Sequence, residues 1–252
     1  MSAARSIVVD SPLPGVSGLR IAMRVQGDGD ALLLINGMTR PLQSWAPFTQ
    51  WLQGRTVVSF DAPGVGGSPT PRRPISIAGL AGVAAAVLDD AGIDQADVVG
   101  FSHGGAVAQQ LARAAPGRVR RLILVSTSCG VGSTPGSRRA FLRSIRRPAE
   151  HNPWPLPDPL GVLWHSLAVS TWSSIPFLGA IKAPTLIVCG TRDRVVPPIN
   201  SRVLAGRIPG SCLVTVPGGH DLQRGAQGQA MARIVEDFLP VTLGAEPAGA
   251  SA

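Results

Sequence analysis

Apolar residues fall along this chain in two alternating patterns. Short β-rich runs occur at 18–25 (GLRIAMRV), 31–36 (ALLLIN), 55–60 (RTVVSF) and 96–100 (ADVVG). They resume at 121–126 (RLILVS), 184–190 (PTLIVCG) and 211–216 (SCLVTV). Between them, helical spacing marks 43–53, 76–91, 104–115, 198–207 and 227–239. Strands alternating with helices predict an α/β fold, a mostly parallel sheet flanked by helices. The run ALLLI is apolar at successive positions, as in a strand buried on both faces. Gly92 and Gly117 stand where helix ends want a residue that tolerates positive φ.

The alternation breaks once. From about Gly130 to Ile181 it gives way to Pro, Ser, Trp and Arg, and Trp154, Trp164 and Trp172 lie in this stretch. Its length exceeds that of an ordinary connection, so it reads as a cap or lid over the C-terminal edge of the sheet. The alternative is a packing excursion whose tryptophans cover core. The expected division is core at 1–129, cap at 130–181, core again at 182–240 and a disordered tail at 241–252.

Composition narrows the class. The chain has 252 residues, 44% hydrophobic and 15% charged, enough for one sizeable globular domain. The formal charge of +8 comes almost wholly from arginine, with Lys182 the only lysine. The arginines are scattered, with small clusters such as Arg120–Arg121 and Arg138–Arg139, and form no aromatic-interleaved stripe. Nucleic acid is therefore not an expected partner. Cys129, Cys189 and Cys212 lack zinc-site or disulfide spacing. The N-terminus has no apolar signal region, and IAGLAGVAAAVL is too short to span a bilayer. A cytoplasmic protein without a transmembrane segment is the expectation.

The chemistry concentrates at GFSHG, residues 100–104, which fits G-x-S-x-G. It follows the strand DVVG and opens the helix GGAVAQQLARAA, the strand–turn–helix setting of a nucleophile elbow. Ser102 is the candidate nucleophile. His103 is the wrong base for it, because side chains at i and i+1 diverge on strand and helix alike. The remaining parts come in the order Ser, acid, His. Asp193 follows the strand TLIVCG, and His220 follows CLVTVPGG. Of the other histidines, His151 and His165 lie in the insertion. The alternative leaves Asp193 capping the next helix and His220 in a surface turn.

An oxyanion hole needs two donors. The backbone amide of His103 is one candidate and that of Met38, in NGMTR, the other, with Gly37 giving the turn its freedom. Gly37, Trp164 and Trp172 are expected at the substrate pocket. The Gly/Pro-rich stretch 60–71 lacks both G-x-G-x-x-G and a P-loop lysine, so it reads as a tight structural loop at the rim. No cofactor or metal is expected.

Taken together, NGM, DAPGVGGS, GFSHGG, GTRD and GGH resemble the α/β-hydrolase superfamily over roughly residues 18–240. LLLINGM, WAPF, GGAVAQQLA and the run from WSSI to RIPG further resemble intracellular poly(3-hydroxyalkanoate) depolymerases of the medium-chain-length type. The resemblance implies a Ser102–Asp193–His220 triad and an ester substrate, either a small molecule or an oligomer, with polyester granules as a partner surface. Two departures stand out: that family carries tryptophan where this chain has His103, and its insertion is longer. Other readings on the same scaffold are a lactonase, thioesterase, C–C hydrolase or perhydrolase, and outside enzymology a ligand-binding receptor. A haloalkane dehalogenase is disfavoured, because its nucleophile position carries Asp.

Overall fold

The computed structural model describes residues 4–9, 15–145, 154 and 156–239. Eight strands form one sheet: β1 (Arg5–Val8), β2 (Arg20–Gln26), β3 (Asp30–Ile35), β4 (Arg55–Phe60), β5 (Ala96–Phe101), β6 (Val119–Val125), β7 (Thr185–Gly190) and β8 (Cys212–Val216). Their spatial order is β1-β2-β4-β3-β5-β6-β7-β8. β1 and β2 run antiparallel to their neighbours, and every pairing from β4 to β8 is parallel.

Helices cover both faces. α2 (Ile77–Asp90), α3 (His103–Ala114) and α6 (Ile199–Ala205) pack on one; α1 (Ala46–Thr49) and α7 (Gly225–Phe238) pack on the other. The ALLLI strand shows why both are needed. Leu33 and Ile35 enter the first core, and Leu32 and Leu34 enter the second, one side chain to each face in turn. β5 and β6 alternate likewise, Val98 against Val99 and Leu122 against Ile123.

The sequence expectations hold for the seven predicted strands within two residues and need correction in four places. β1 is an added strand, too short to show a period. The helix expected at 43–53 is a 3-10 turn at Leu42–Trp45 followed by the single turn of α1. Gly117 does not take positive φ but sits in a 3-10 turn at Pro116–Arg118, whereas Gly92 has φ 68°. The insertion holds two helices, α4 (Arg138–Ile145) and α5 (Pro159–Ser170). Pro159 starts α5, and the Asp158 carboxylate accepts the Leu160 amide at 2.9 Å; this is a helix start rather than a break. The tail at 241–252 lies outside the described residues.

Some of the arginine is structural. Arg120 donates to the fully buried Asp97 at 2.9 and 2.7 Å and to Asp30 at 3.2 Å, near the starts of β3, β5 and β6. Among the described residues no helix is long and apolar enough to cross a membrane.

Candidate active site

The parallel strands point their C-terminal ends at one edge of the sheet, and the candidate residues gather there. Ser102 joins β5 to α3 with φ 52° and ψ −118°, a conformation that costs a non-glycine residue energy. The turn is held because its amide donates to the Val125 carbonyl at 2.8 Å and Thr127 Oγ1 donates to its carbonyl at 2.7 Å. The flanking glycines are required by contact. A Cβ on Gly104 would lie 2.2 Å from the Ile35 carbonyl oxygen, and one on Gly100 would lie 2.6 Å from that of Gly104.

Asp193 follows β7 and His220 follows β8, on loops pressed against each other; the Arg192 amide donates to the Gly218 carbonyl at 2.8 Å. Ser102 Oγ lies 3.0 Å from His220 Nε2, and His220 Nδ1 lies 2.8 Å from Asp193 Oδ2. With Nδ1–H donated to the carboxylate, Nε2 is left to accept the serine proton. The other Asp193 oxygen accepts the amides of Val195 and Val196, at 2.8 and 2.9 Å, so the carboxylate is fully committed. The Phe101 ring backs the imidazole at 5.1 Å between centroids. This arrangement can deprotonate a serine in concert with its attack on a carbonyl.

His103 goes elsewhere. Its buried ring meets that of His165, on α5, edge to face at 4.7 Å. Burial, and secondarily the neighbouring His165, hold its pKa well below the ordinary imidazole value, so it is neutral. Its amide is the first of α3, where backbone donors have no intrahelical partner. Met38 and His103 both border a cavity of about 190 Å³ that Ser102, Thr127, Phe141, Val169 and Val196 also line. Gly37 does not line this cavity but lies beneath it, where a Cβ would meet the Phe101 ring at 3.2 Å and Ser102 Cβ at 3.6 Å.

The structure does not bring Trp164 or Trp172 to this cavity. Each indole is turned to an acceptor of the protein instead, Trp164 to the Pro71 carbonyl at 3.1 Å and Trp172 to Gln110 Oε1 at 2.9 Å. Trp172 also closes over Gly130 and packs on Phe177. The apolar lining includes Phe141 on α4, Val169 on α5 and Val195 and Val196 after Asp193, which sequence reasoning missed. Phe141 was findable as the aromatic in the amphipathic run RRAFLRSI.

The 60–71 stretch leaves β4 as a tight loop, and none of its residues lines the cavity beside Ser102. The buried Asp61 carboxylate accepts the amides of Leu42 at 2.5 Å and Gly67 at 2.8 Å, joining this loop to the one that carries Met38. Burial raises its pKa, and those two amides oppose the rise. Among the described residues no group of three or more His, Cys, Asp or Glu is arranged to hold a metal ion.

Comparison with known proteins agrees with this architecture. The sequence model of the family described as alpha/beta hydrolase fold matches residues 30–143 and 147–224. The chain is 35% identical to a poly(3-hydroxyalkanoate) depolymerase of Ectopseudomonas oleovorans over 237 residues, 82% of this chain and 83% of that one. It is 31% identical to a 2-hydroxymuconate semialdehyde hydrolase of Pseudomonas putida, over 88% and 92% of the two chains. A solved hydrolase from Pseudomonas aeruginosa PA01 superposes with a TM-score of 0.78 at 24% identity, covering 94% of this chain and 98% of that one. The protein is thus a hydrolase that belongs to the alpha/beta hydrolase fold family and is similar within it to poly(3-hydroxyalkanoate) depolymerase.

Proposed function

We propose that the protein hydrolyses carboxylic esters through an acyl-enzyme on Ser102, with aliphatic or hydroxyacyl esters as the substrate class. The observation that carries this is the unbroken line from Ser102 Oγ to His220 to Asp193, at 3.0 and 2.8 Å. His220 Nε2 takes the serine proton as Oγ attacks the ester carbon. The oxyanion is held by the amides of His103 and Met38. Collapse expels the alcohol, which leaves with the proton from His220, and Asp193 keeps the imidazole oriented throughout. Water then gives a proton to His220 as it attacks the acyl carbon, and collapse releases the acid while His220 returns that proton to Ser102 Oγ.

The 35% identity to the depolymerase supports hydroxyacyl esters as substrate. The outer face of α5 supports contact with a polyester granule: Leu160, Leu163 and Leu167 are exposed there at helical spacing, with Leu142 on α4 also exposed. Three free cysteines support a cytoplasmic site of action. A second reading, hydrolysis of a carbon–carbon bond, is favoured by the Pseudomonas putida relative.

A panel of p-nitrophenyl esters, lactones, acyl-thioesters, a ring-cleavage dienone and polyhydroxyoctanoate separates these readings, with Ser102→Ala as control. Ester turnover lost in Ser102→Ala supports the proposal, and dienone turnover alone favours the second reading. A wild-type protein that binds esters without turning them over would mean a receptor. Co-sedimentation with polymer granules tests the surface; protein left in the supernatant rejects it.

A further inference from the structure

One buried ion pair links three of the segments that shape this site: the loop after β3, the loop after β8 and α4. Arg40 lies two residues after Met38, on the loop following β3, and Asp221 follows His220 directly. Nη2 of Arg40 donates to both carboxylate oxygens of Asp221, at 3.0 and 3.1 Å. The two side chains are 4% and 5% exposed. The same nitrogen donates to the Ser144 carbonyl at 3.3 Å, in the last turn of α4, the helix that brings Phe141 to the cavity. The Arg40 amide donates to the Gly37 carbonyl at 3.1 Å and so closes the turn that presents the Met38 amide.

Stability alone is a weak reason for such a pair, since two charges must be stripped of water to make it. What a planar guanidinium does supply is fixed geometry among its acceptors. Here those acceptors belong to the histidine loop and the cap, and the guanidinium itself belongs to the oxyanion loop.

We propose that Arg40 is a positioning residue, which through Asp221 and Ser144 holds His220, the Met38 amide and α4 in mutual register. Its charge also balances the carboxylate of Asp221, the residue that follows His220 in the chain. The proposal rests on the reading of Ser102 as nucleophile and His220 as its base. Asp193 pairs with His220 directly, and the loop that carries His220 also holds Asp221, bound to Arg40, and Arg224 three residues further on. Arg192 and Arg194, which flank Asp193, are exposed. Removing the guanidinium leaves more negative charge on the loop that carries His220, which favours imidazolium. Removing the carboxylate while Arg40 stays leaves more positive charge, which disfavours it. These shifts have opposite signs, and a purely packing role produces neither.

The test is steady-state turnover of a p-nitrophenyl ester by the full chain across pH, in Arg40→Gln, Arg40→Lys, Asp221→Asn and the Arg40→Gln/Asp221→Asn double variant. Labelling of Ser102 by a fluorophosphonate is followed in parallel. Arg40→Gln should lower kcat by about 100-fold, the scale of a displacement near 1 Å, with a smaller change in KM. The acid limb of the kcat/KM profile should move up in Arg40→Gln and down in Asp221→Asn. It should return toward wild type in the double variant, whose kcat stays low. Arg40→Lys should keep the limb and lose part of kcat. If Arg40→Gln does not fold, Arg40→Lys and the double variant carry the test, because both keep the charges at positions 40 and 221 balanced. Folded variants with wild-type kcat, or limbs that do not move in opposite directions, overturn the proposal. Wild-type protein that fails to label at Ser102 overturns the nucleophile reading and this proposal with it; normal wild-type labelling matched by Arg40→Gln overturns this proposal alone.

Discussion

Ser102 and His103 are neighbours in sequence whose side chains serve different parts of the molecule. The strained turn at Ser102 sends its Oγ toward His220, while His103 enters the joint beneath α5. His103→Ala should therefore keep Ser102 reactive, since the backbone amide of residue 103, the proposed oxyanion donor, survives the change. It should also lower stability by about 2 kcal/mol, through loss of a buried ring. Ester turnover and urea midpoints check the two halves separately; abolished turnover in a stably folded variant would assign the side chain a role in the reaction. Gly104→Ala is the converse case. Its Cβ would press on the Ile35 carbonyl oxygen, which is backbone, so a loss of about 1–3 kcal/mol is expected, and a lower urea midpoint reports it. That Ser102, Asp193 and His220 come together was legible in the sequence, because each sits just after a recognisable strand. Trp164 and Trp172 misled, because whether an indole lines a cavity or caps a carbonyl is decided by tertiary packing, which periodicity does not encode.

At the scale of elements, the part hardest to read was the insertion. Prolines and polar residues hid α5, whose capping by Asp158 and start at Pro159 are local features that hydropathy averages out. Two contacts seat this helix. Gly161 meets Gly64 so closely that a Cβ on Gly161 would lie 2.5 Å from the Gly64 carbonyl oxygen. The His165 ring meets His103, and His165 Nε2–H donates to the Pro63 carbonyl at 2.9 Å. Both imidazoles are held below the ordinary value of 6.5, chiefly by burial. An imidazole whose pKa is lowered by folding stabilises the fold fully above 6.5, and that contribution is lost as pH falls through 6.5 toward the folded values. Urea midpoints should accordingly drop between pH 7.5 and 5.5, and less steeply in His165→Gln, which can still donate to Pro63. Asp61, raised above its ordinary 3.8, contributes in the opposite sense, adding stability as pH falls through its folded value. Equal slopes in the two proteins would refute the assignment to the histidine pair.

For the molecule as a whole, the parallel sheet is what turns distant residues into neighbours. Ser102, Asp193 and His220 follow β5, β7 and β8, and the shared direction of those strands delivers all three to one edge. That much follows from alternating strands and helices. Strand order, the antiparallel β1–β2 edge and the Arg40–Asp221 pair, which spans 181 positions, depend on contacts with no local signature. The central claim is a covalent acyl intermediate on Ser102. Its most direct measurement is mass spectrometry of protein acid-quenched during turnover of a slowly deacylating ester. The account predicts an acyl mass increment on the peptide containing Ser102, absent from Ser102→Ala together with turnover. Turnover that persists in Ser102→Ala, with no increment at residue 102 in the wild type, would contradict it.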